Sequence, residues 1–175
     1  DFPWNFSGLC RFIFPDHYTR EPWKIHTRDP LDYFEEPIQS ELINKCLRKV
    51  EPLGGKIDFD IDGKLVGNWF IENTGWYEGI GMNPYWAGHL SFAYDHIDPT
   101  QMRISIGNYS GEAQQFGVKT NSPDFKNIDQ SSGLIKYELV QFDYFLSSTN
   151  IAWSRLDYAA DIFSKNYESI VLGTV

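Results

Sequence analysis

Trp86-Ala87-Gly88-His89-Leu90-Ser91-Phe92-Ala93-Tyr94 runs through Asp95-His96-Ile97-Asp98-Pro99 into Met102-Arg103-Ile104-Ser105-Ile106-Gly107. In the last segment Met102, Ile104 and Ile106 alternate with Arg103, Ser105 and Gly107, the period of two that one buried strand face imposes. The first segment reads as a strand from about residue 86 to 94. Between them, Asp and Pro supply a turn, because Asp bonds nearby backbone and Pro presets φ. Strand, turn, strand is the reading, and it predicts an antiparallel pair.

Working outward, the same period appears upstream. Ile57, Phe59 and Ile61 alternate with Lys56, Asp58 and Asp60, and Asp62-Gly63 predicts a two-residue hairpin turn. The return strand spans Lys64 to about Glu72, and a loop rich in Gly, Asn and aromatics covers 73–85. Downstream, a weaker strand is expected over Ala113 to Lys119, a polar loop over 120–132, and another strand from Gly133. In that last strand Ile135, Tyr137 and Leu139 share one face while Val140, Phe142 and Tyr144 share the other. The phase change predicts a β-bulge or a barrel corner.

Two helices are predicted. Over residues 36–50, Ile38, Leu42, Cys46 and Val50 recur every fourth residue, with Ile43 and Leu47 widening the stripe. Pro37 sits where a missing N–H costs nothing, and Lys45, Arg48 and Lys49 crowd the end that favours cations. Ala152, Leu156, Ala159, Ala160 and Phe163 give helical spacing behind a Thr149 or Asn150 cap. Residues 1–35 are irregular: nine aromatics lie among Pro3, Pro15, Pro22 and Pro30, a proline density that blocks long helices and central strands. The fold class expected is mainly β: an antiparallel β-sandwich or small barrel with one N-terminal amphipathic helix. Residues 1–35 form an aromatic, proline-rich arm packed on the domain or on a neighbour, and 36–175 form a single β-rich domain.

Composition narrows the function classes. The chain has 175 residues, a net charge of −9 and an aromatic content of 17%. Its 42% hydrophobic content provides enough apolar surface for a packed core, which disordered chains lack. The acidic balance and the lack of a basic run argue against nucleic acid, whose binding rests on clustered Lys and Arg. No apolar window of about 18 residues suggests a membrane span. The chain starts at Asp1, and Ser169 to Val175 read as a strand without a following turn, so a piece of a longer protein is expected. Cys10 and Cys46 read either as one disulfide in an oxidising compartment or as two buried thiols. Asn5-Phe6-Ser7 and Asn108-Tyr109-Ser110 match the N-glycosylation pattern at about the frequency expected by chance.

Two local patterns carry candidate chemistry. Asp58, Asp60 and Asp62 followed by Gly63 begin as a calcium loop begins, with hard oxygen donors and a glycine for the sharp turn. Position twelve is Trp69 instead of the bidentate Glu, and alternate strand residues lie about 6 to 7 Å apart, so the plainer reading is a hairpin with solvated aspartates. The second pattern is the loop Thr74 to Trp86, where Trp76, Tyr77, Tyr85 and Trp86 flank a Gly-rich centre. Exposed rings beside polar groups suit a sugar, whose apolar faces stack while its hydroxyls bond; the alternative is that the rings close one end of the core.

Gly67-Asn68-Trp69 resembles the Gly-x-Trp signature of lipocalin and calycin β-barrels. The resemblance implies a closed antiparallel barrel for small apolar ligands, with Trp69 at the closed end under Arg103 or Arg155. The chain departs from that pattern in having a predicted strand, Lys56 to Ile61, before the motif.

No catalytic residues are assigned. His89 and Asp95 lie about 20 Å apart along an unbroken strand, and no nucleophile elbow, zinc helix or phosphate loop occurs. The expected function is a non-catalytic binding module of a larger secreted, periplasmic or cell-surface protein, recognising a carbohydrate or small apolar ligand through Trp76, Tyr77, Tyr85 and Trp86. Residues 1–35 are the expected contact for a protein partner. The alternatives are a hydrolase-like enzyme using His89, Asp95 or Glu78 in a barrel mouth, and a structural assembly domain.

Overall fold

The computed structural model describes residues 12–26, 28–54 and 60–141. Its strands are β1 (Gly67–Phe70), β2 (His89–Tyr94), β3 (Met102–Tyr109), β4 (Glu112–Val118) and β5 (Leu139–Gln141). They pair antiparallel in the order β1-β2-β3-β4-β5, each strand beside the one that precedes it. Among the described residues the protein is mainly β and antiparallel, as the sequence predicts, with one α-helix where the sequence places its N-terminal one. Among the described residues β1 and β5 each pair on one side, so the sheet is open.

Alternation sorts the side chains onto two faces. Trp69, Leu90 and Ile106 stand in one cross-strand row; Phe92, Ile104 and Phe116 occupy the same face further along. There Phe92, Ile104, Val118 and Leu139 meet Val66, Phe125 and Tyr137 in the core. Phe125, fully buried, has Phe92 and Tyr137 edge-on at 5.2 Å each, the offset geometry that aromatic quadrupoles favour. The other face carries Asn68, Phe70, His89, Ser91, Arg103, Ser105 and Gln115.

The turn between β2 and β3 follows from one carboxylate. Asp95 Oδ1 accepts from the backbone N–H groups of Ile97 (2.8 Å) and Asp98 (2.9 Å). Its Oδ2 accepts from Arg103 Nη2 at 2.6 Å and Nε at 3.1 Å. Both side chains are buried, so the aspartate that bends the chain also neutralises a cation out of water. Burial works against ionised Asp95, but the backbone amides and Arg103 outweigh it and hold the carboxyl below its ordinary value. Arg103 therefore points away from Trp69, which lies on the core face and donates Nε1–H to Leu65 O at 2.8 Å. The placement of Trp69 under Arg103, implied by the barrel resemblance, does not hold, because Trp69 shares a row with Ile106, three residues along β3 from Arg103, and an odd spacing puts the two on opposite faces; Arg155 lies outside the described residues.

Helix α1 (Ile38–Lys45) is shorter than the predicted 36–50. Cys46 leaves it in an extended conformation, and the cause is tertiary. The Arg48 guanidinium reaches the carbonyls of Val50 (2.8 Å), His96 (3.1 Å) and Asp95 (3.4 Å), which draws 46–50 toward the β2–β3 turn. No residue of α1 is buried, and Ile38 and Leu47 remain exposed. Cys46 carries a free thiol; Cys10 lies outside the described residues.

The predicted turn at Asp62-Gly63 is present, closed by the Lys64 N–H on Ile61 O at 3.0 Å, with Gly63 at φ +68°. Of the strand predicted over Lys56 to Ile61, residues 56–59 lie outside the described residues and Asp60 and Ile61 are not in a strand; Phe142, Tyr144, the helix predicted around 150–163 and the strand predicted at 169–175 also lie outside them. The phase change at Leu139 and Val140 produces no irregularity over β5, whose residues pair in step with Phe116, Gly117 and Val118. The register shift falls instead in β3, between Ile106 and Tyr109. No helix among the described residues is long and apolar enough to cross a membrane.

Candidate functional site

The loop from Ile71 to Gly88 joins β1 to β2 through two short 3-10 turns, Trp76–Glu78 and Tyr85–Gly88. Gly75, Trp76 and Gly79 all have φ between +62° and +69°. Glycine adopts this region freely, whereas a bulky residue such as Trp76 does so only when its surroundings hold it. At Gly79 an added Cβ would lie 2.1 Å from Tyr85 O, so the two turns touch through backbone that admits no side chain. At Gly107 of β3 an added Cβ would lie 1.7 Å from Trp86 O. The second turn thus rests on the outer sheet face and delivers Trp86 there.

The arm holds the loop from the other side. His17 stacks on Trp76 (4.1 Å, 10°) and on Phe14 (4.8 Å, 24°), making a three-ring sandwich. Glu21 accepts from the hydroxyls of Tyr77 at 2.6 Å and Tyr85 at 2.7 Å, and Lys24 approaches it to 3.2 Å. Arg20 lies 4.1 Å over the Tyr85 ring and meets Glu78 Oε1 at 3.4 Å.

Electrostatics fix the protonation states. Burial opposes the Glu21 charge, but the bonds from Tyr77, Tyr85 and Lys24 outweigh it and hold the carboxyl below its usual value. Burial, and then the bond to Glu21, pushes Tyr77 up to about 12. Tyr85 moves the same way, chiefly through its bond to Glu21. Carboxylate and phenols therefore remain charged and neutral respectively across the physiological range.

The outer face holds an open hollow of about 670 Å³. Its floor is a row set by register: Asn68 opposite Ser91, Ser91 opposite Ser105, Ser105 opposite Gln115. Gln115 Nε2 donates to Ser105 Oγ at 2.9 Å. Its wall is aromatic, with Phe70, Tyr77 and Trp86 beside His89. His89 is packed edge-on by Phe70 at 5.1 Å, and its Nε2 is buried with no hydrogen-bond partner among the described residues. Burial pushes its pKa down, partly opposed by a backbone bond to Tyr77, which keeps the imidazole neutral.

Comparison with protein-family models, curated proteins and solved structures finds no match. The geometry stands alone.

The four ring residues singled out from sequence divide by role. Trp86, 42% exposed, and half-buried Tyr77 line the hollow. Tyr85 stands edge-on to Trp86 at 5.0 Å and supports it. Trp76 faces a separate cavity between the arm and β1, where Asp60 and Asp62 also lie. Asp60 accepts backbone N–H groups of Asn68 (3.2 Å) and Ile13 (3.4 Å), so its carboxylate ties the arm to β1. Asp58 lies outside the described residues, and among those described no three His, Cys, Asp or Glu side chains group to hold a metal. The groups named for catalysis stand apart: Asp95 is paired with Arg103, Glu78 with Arg20, and neither partners His89. Sequence reasoning missed Phe70, the polar row and Glu21. The row had a signal, since 68, 91 and 105 are the polar alternates of apolar strand positions; Glu21 had none.

Proposed function

We propose that the protein is a non-catalytic binding module that takes a carbohydrate in the hollow on the outer sheet face. One observation carries the reading: four uncharged hydrogen-bonding side chains, Asn68, Ser91, Ser105 and Gln115, form a row beside exposed Trp86. Sugars present hydroxyls on their edges and C–H groups on their faces. Amide and hydroxyl side chains can donate and accept, which suits the edges, and an indole offers a flat apolar surface for a face. The hollow contains no formal charge that would demand an ionic ligand. The short turns at 76–78 and 85–88, locked by the arm, keep the rings in place before a ligand arrives, which lowers the ordering cost of binding. His89 adds one buried nitrogen with unused hydrogen-bonding capacity. A sugar-reading module of this kind fits the secreted or cell-surface setting expected from the sequence.

A panel of soluble oligosaccharides, screened with indole fluorescence as the readout, tests the reading. At least one sugar class saturates the wild-type signal, and Trp86→Ala weakens binding by about tenfold or more, equivalent to roughly 1.4 kcal/mol, while the thermal midpoint stays put. Absence of binding across the panel, or an equal loss of stability and binding, overturns it.

A further inference from the structure

The row Asn68, Ser91, Ser105 and Gln115 crosses the sheet at right angles to the strands, one residue from each of β1 to β4, and its register is unbroken. Neighbouring strands lie about 4.8 Å apart, so the ends of the row are about 14 Å from each other. Two residues further along the strands a second line runs beside it: Phe70 stands opposite His89, and the Trp86 carbonyl closes over Gly107. At about 3.3 Å of rise per residue the two lines are about 7 Å apart. The hollow is therefore a trough laid across four strands, with polar groups along one side and rings along the other.

Its polar side is available to a ligand. Among the described residues the Asn68 side-chain amide and the Ser91 hydroxyl make no hydrogen bond, and neither is sealed from water. Ser105 Oγ accepts from Gln115 Nε2, which leaves its own O–H to donate. A pyranose ring with its glycosidic oxygen is about as long as one strand spacing, so a single sugar leaves most of the row unused. Only a chain of sugars meets all of it.

The straight line also selects among chains. β-linked glucose chains turn each ring over relative to the last, stay extended, and keep hydroxyls on both edges with C–H groups on both faces. α-linked glucose chains curl, which carries successive rings off the row. The described lining holds no formal charge, so the carboxylates of an acidic chain would lose hydration with no cation in return. We infer that the trough takes an uncharged, extended β-linked glycan chain, about three rings of it lying across the strands, which rests on the carbohydrate reading and narrows it to one class.

The test is calorimetric titration of the full chain with glucose, cellobiose, cellotriose and cellohexaose, set against maltotriose. Affinity is expected to rise about tenfold or more from cellobiose to cellotriose and less than about fivefold from cellotriose to cellohexaose, with maltotriose about tenfold weaker than cellotriose or worse. Asn68→Ala shortens the row without breaking a side-chain hydrogen bond. It is expected to lower cellotriose affinity about fivefold and to flatten the step from cellobiose, with the thermal midpoint unchanged. Ser91→Ala, inside the row, is expected to weaken cellobiose and cellotriose alike. Equal affinity for glucose and cellotriose, equal affinity for maltotriose and cellotriose, or insensitivity to Asn68→Ala would overturn the inference and leave the wider carbohydrate reading standing. Silence of the cello-oligosaccharides while another sugar of the panel binds would do the same; silence of the whole panel overturns both.

Discussion

The two faces of the sheet use the same kinds of residue for opposite ends. On the core face Phe92, Phe125 and Tyr137 pack edge-to-face and are almost wholly shielded from water. On the outer face and its loop, rings are equally dense, yet Trp76 and Trp86 keep more than two fifths of their surface exposed. What holds the second set is polar: Glu21 on two phenols, Arg20 on one ring, a neutral His17 between two others. Packing alone fixes a ring by burying it. Hydrogen bonds at the rim fix a ring while leaving a face open, and an open, fixed face is what a ligand needs.

Mutations should separate the two regimes, beginning with the core. Phe125→Ala removes a fully buried ring and is expected to cost about 3 to 5 kcal/mol in denaturant unfolding. Asp95→Ala strands the buried Arg103 guanidinium and opens the β2–β3 turn, at a cost of about 3 to 5 kcal/mol by the same measurement; a loss under 1 kcal/mol would show that the pair is well solvated. If Phe125→Ala proved harmless, the contrast between a packed face and a tethered one would collapse.

The tethered side should respond more weakly and locally. Glu21→Ala leaves two phenols without their acceptor and is expected to cost about 1 to 3 kcal/mol of arm docking. Hydrogen exchange should accelerate over residues 12–26 and 74–86 and stay unchanged over β2 and β3. Uniform acceleration would mean that the arm is integral to the core.

Docking of the arm also has a pH window with two different edges. The Glu21 carboxyl lies below its usual 4.5, so its contribution is complete above that value and is lost as pH falls through the depressed one. Tyr77 lies above its usual 10, so its contribution is complete below 10 and is lost as pH rises toward about 12. Arm protection measured against pH should therefore plateau between those edges, and the acid edge should vanish in Glu21→Gln. The smallest effect belongs to Lys45→Ala on α1, whose exposed pair with Glu41 four residues earlier is worth about 0.5 kcal/mol or less.

How far the sequence could be read follows the same division. The β2–β3 hairpin was legible because burial on one face writes a period of two into Met102, Ile104 and Ile106, and the Asp95 turn announces itself locally. Gly75, Gly79 and Gly81 marked the loop, since positive φ selects glycine. The clamp was illegible: Glu21 meets phenols 56 and 64 residues away, and no local pattern encodes such a contact. Helix α1 was overextended for a like reason, because Arg48 finds carbonyls at residues 95 and 96 that periodicity ignores. The polar row lay in between, each member visible as a strand alternate but the line across four strands set by register.

The most direct test of the sheet-face site is an NMR titration of the labelled chain with an oligosaccharide that quenches its indole fluorescence. The account predicts shift changes at the side-chain amides of Asn68 and Gln115, the backbone amides of Ser91 and Ser105, and the Trp86 indole N–H, with the core amides of Phe92 and Ile104 unmoved. Shifts confined to other surfaces, with those five groups silent at saturation, would contradict it.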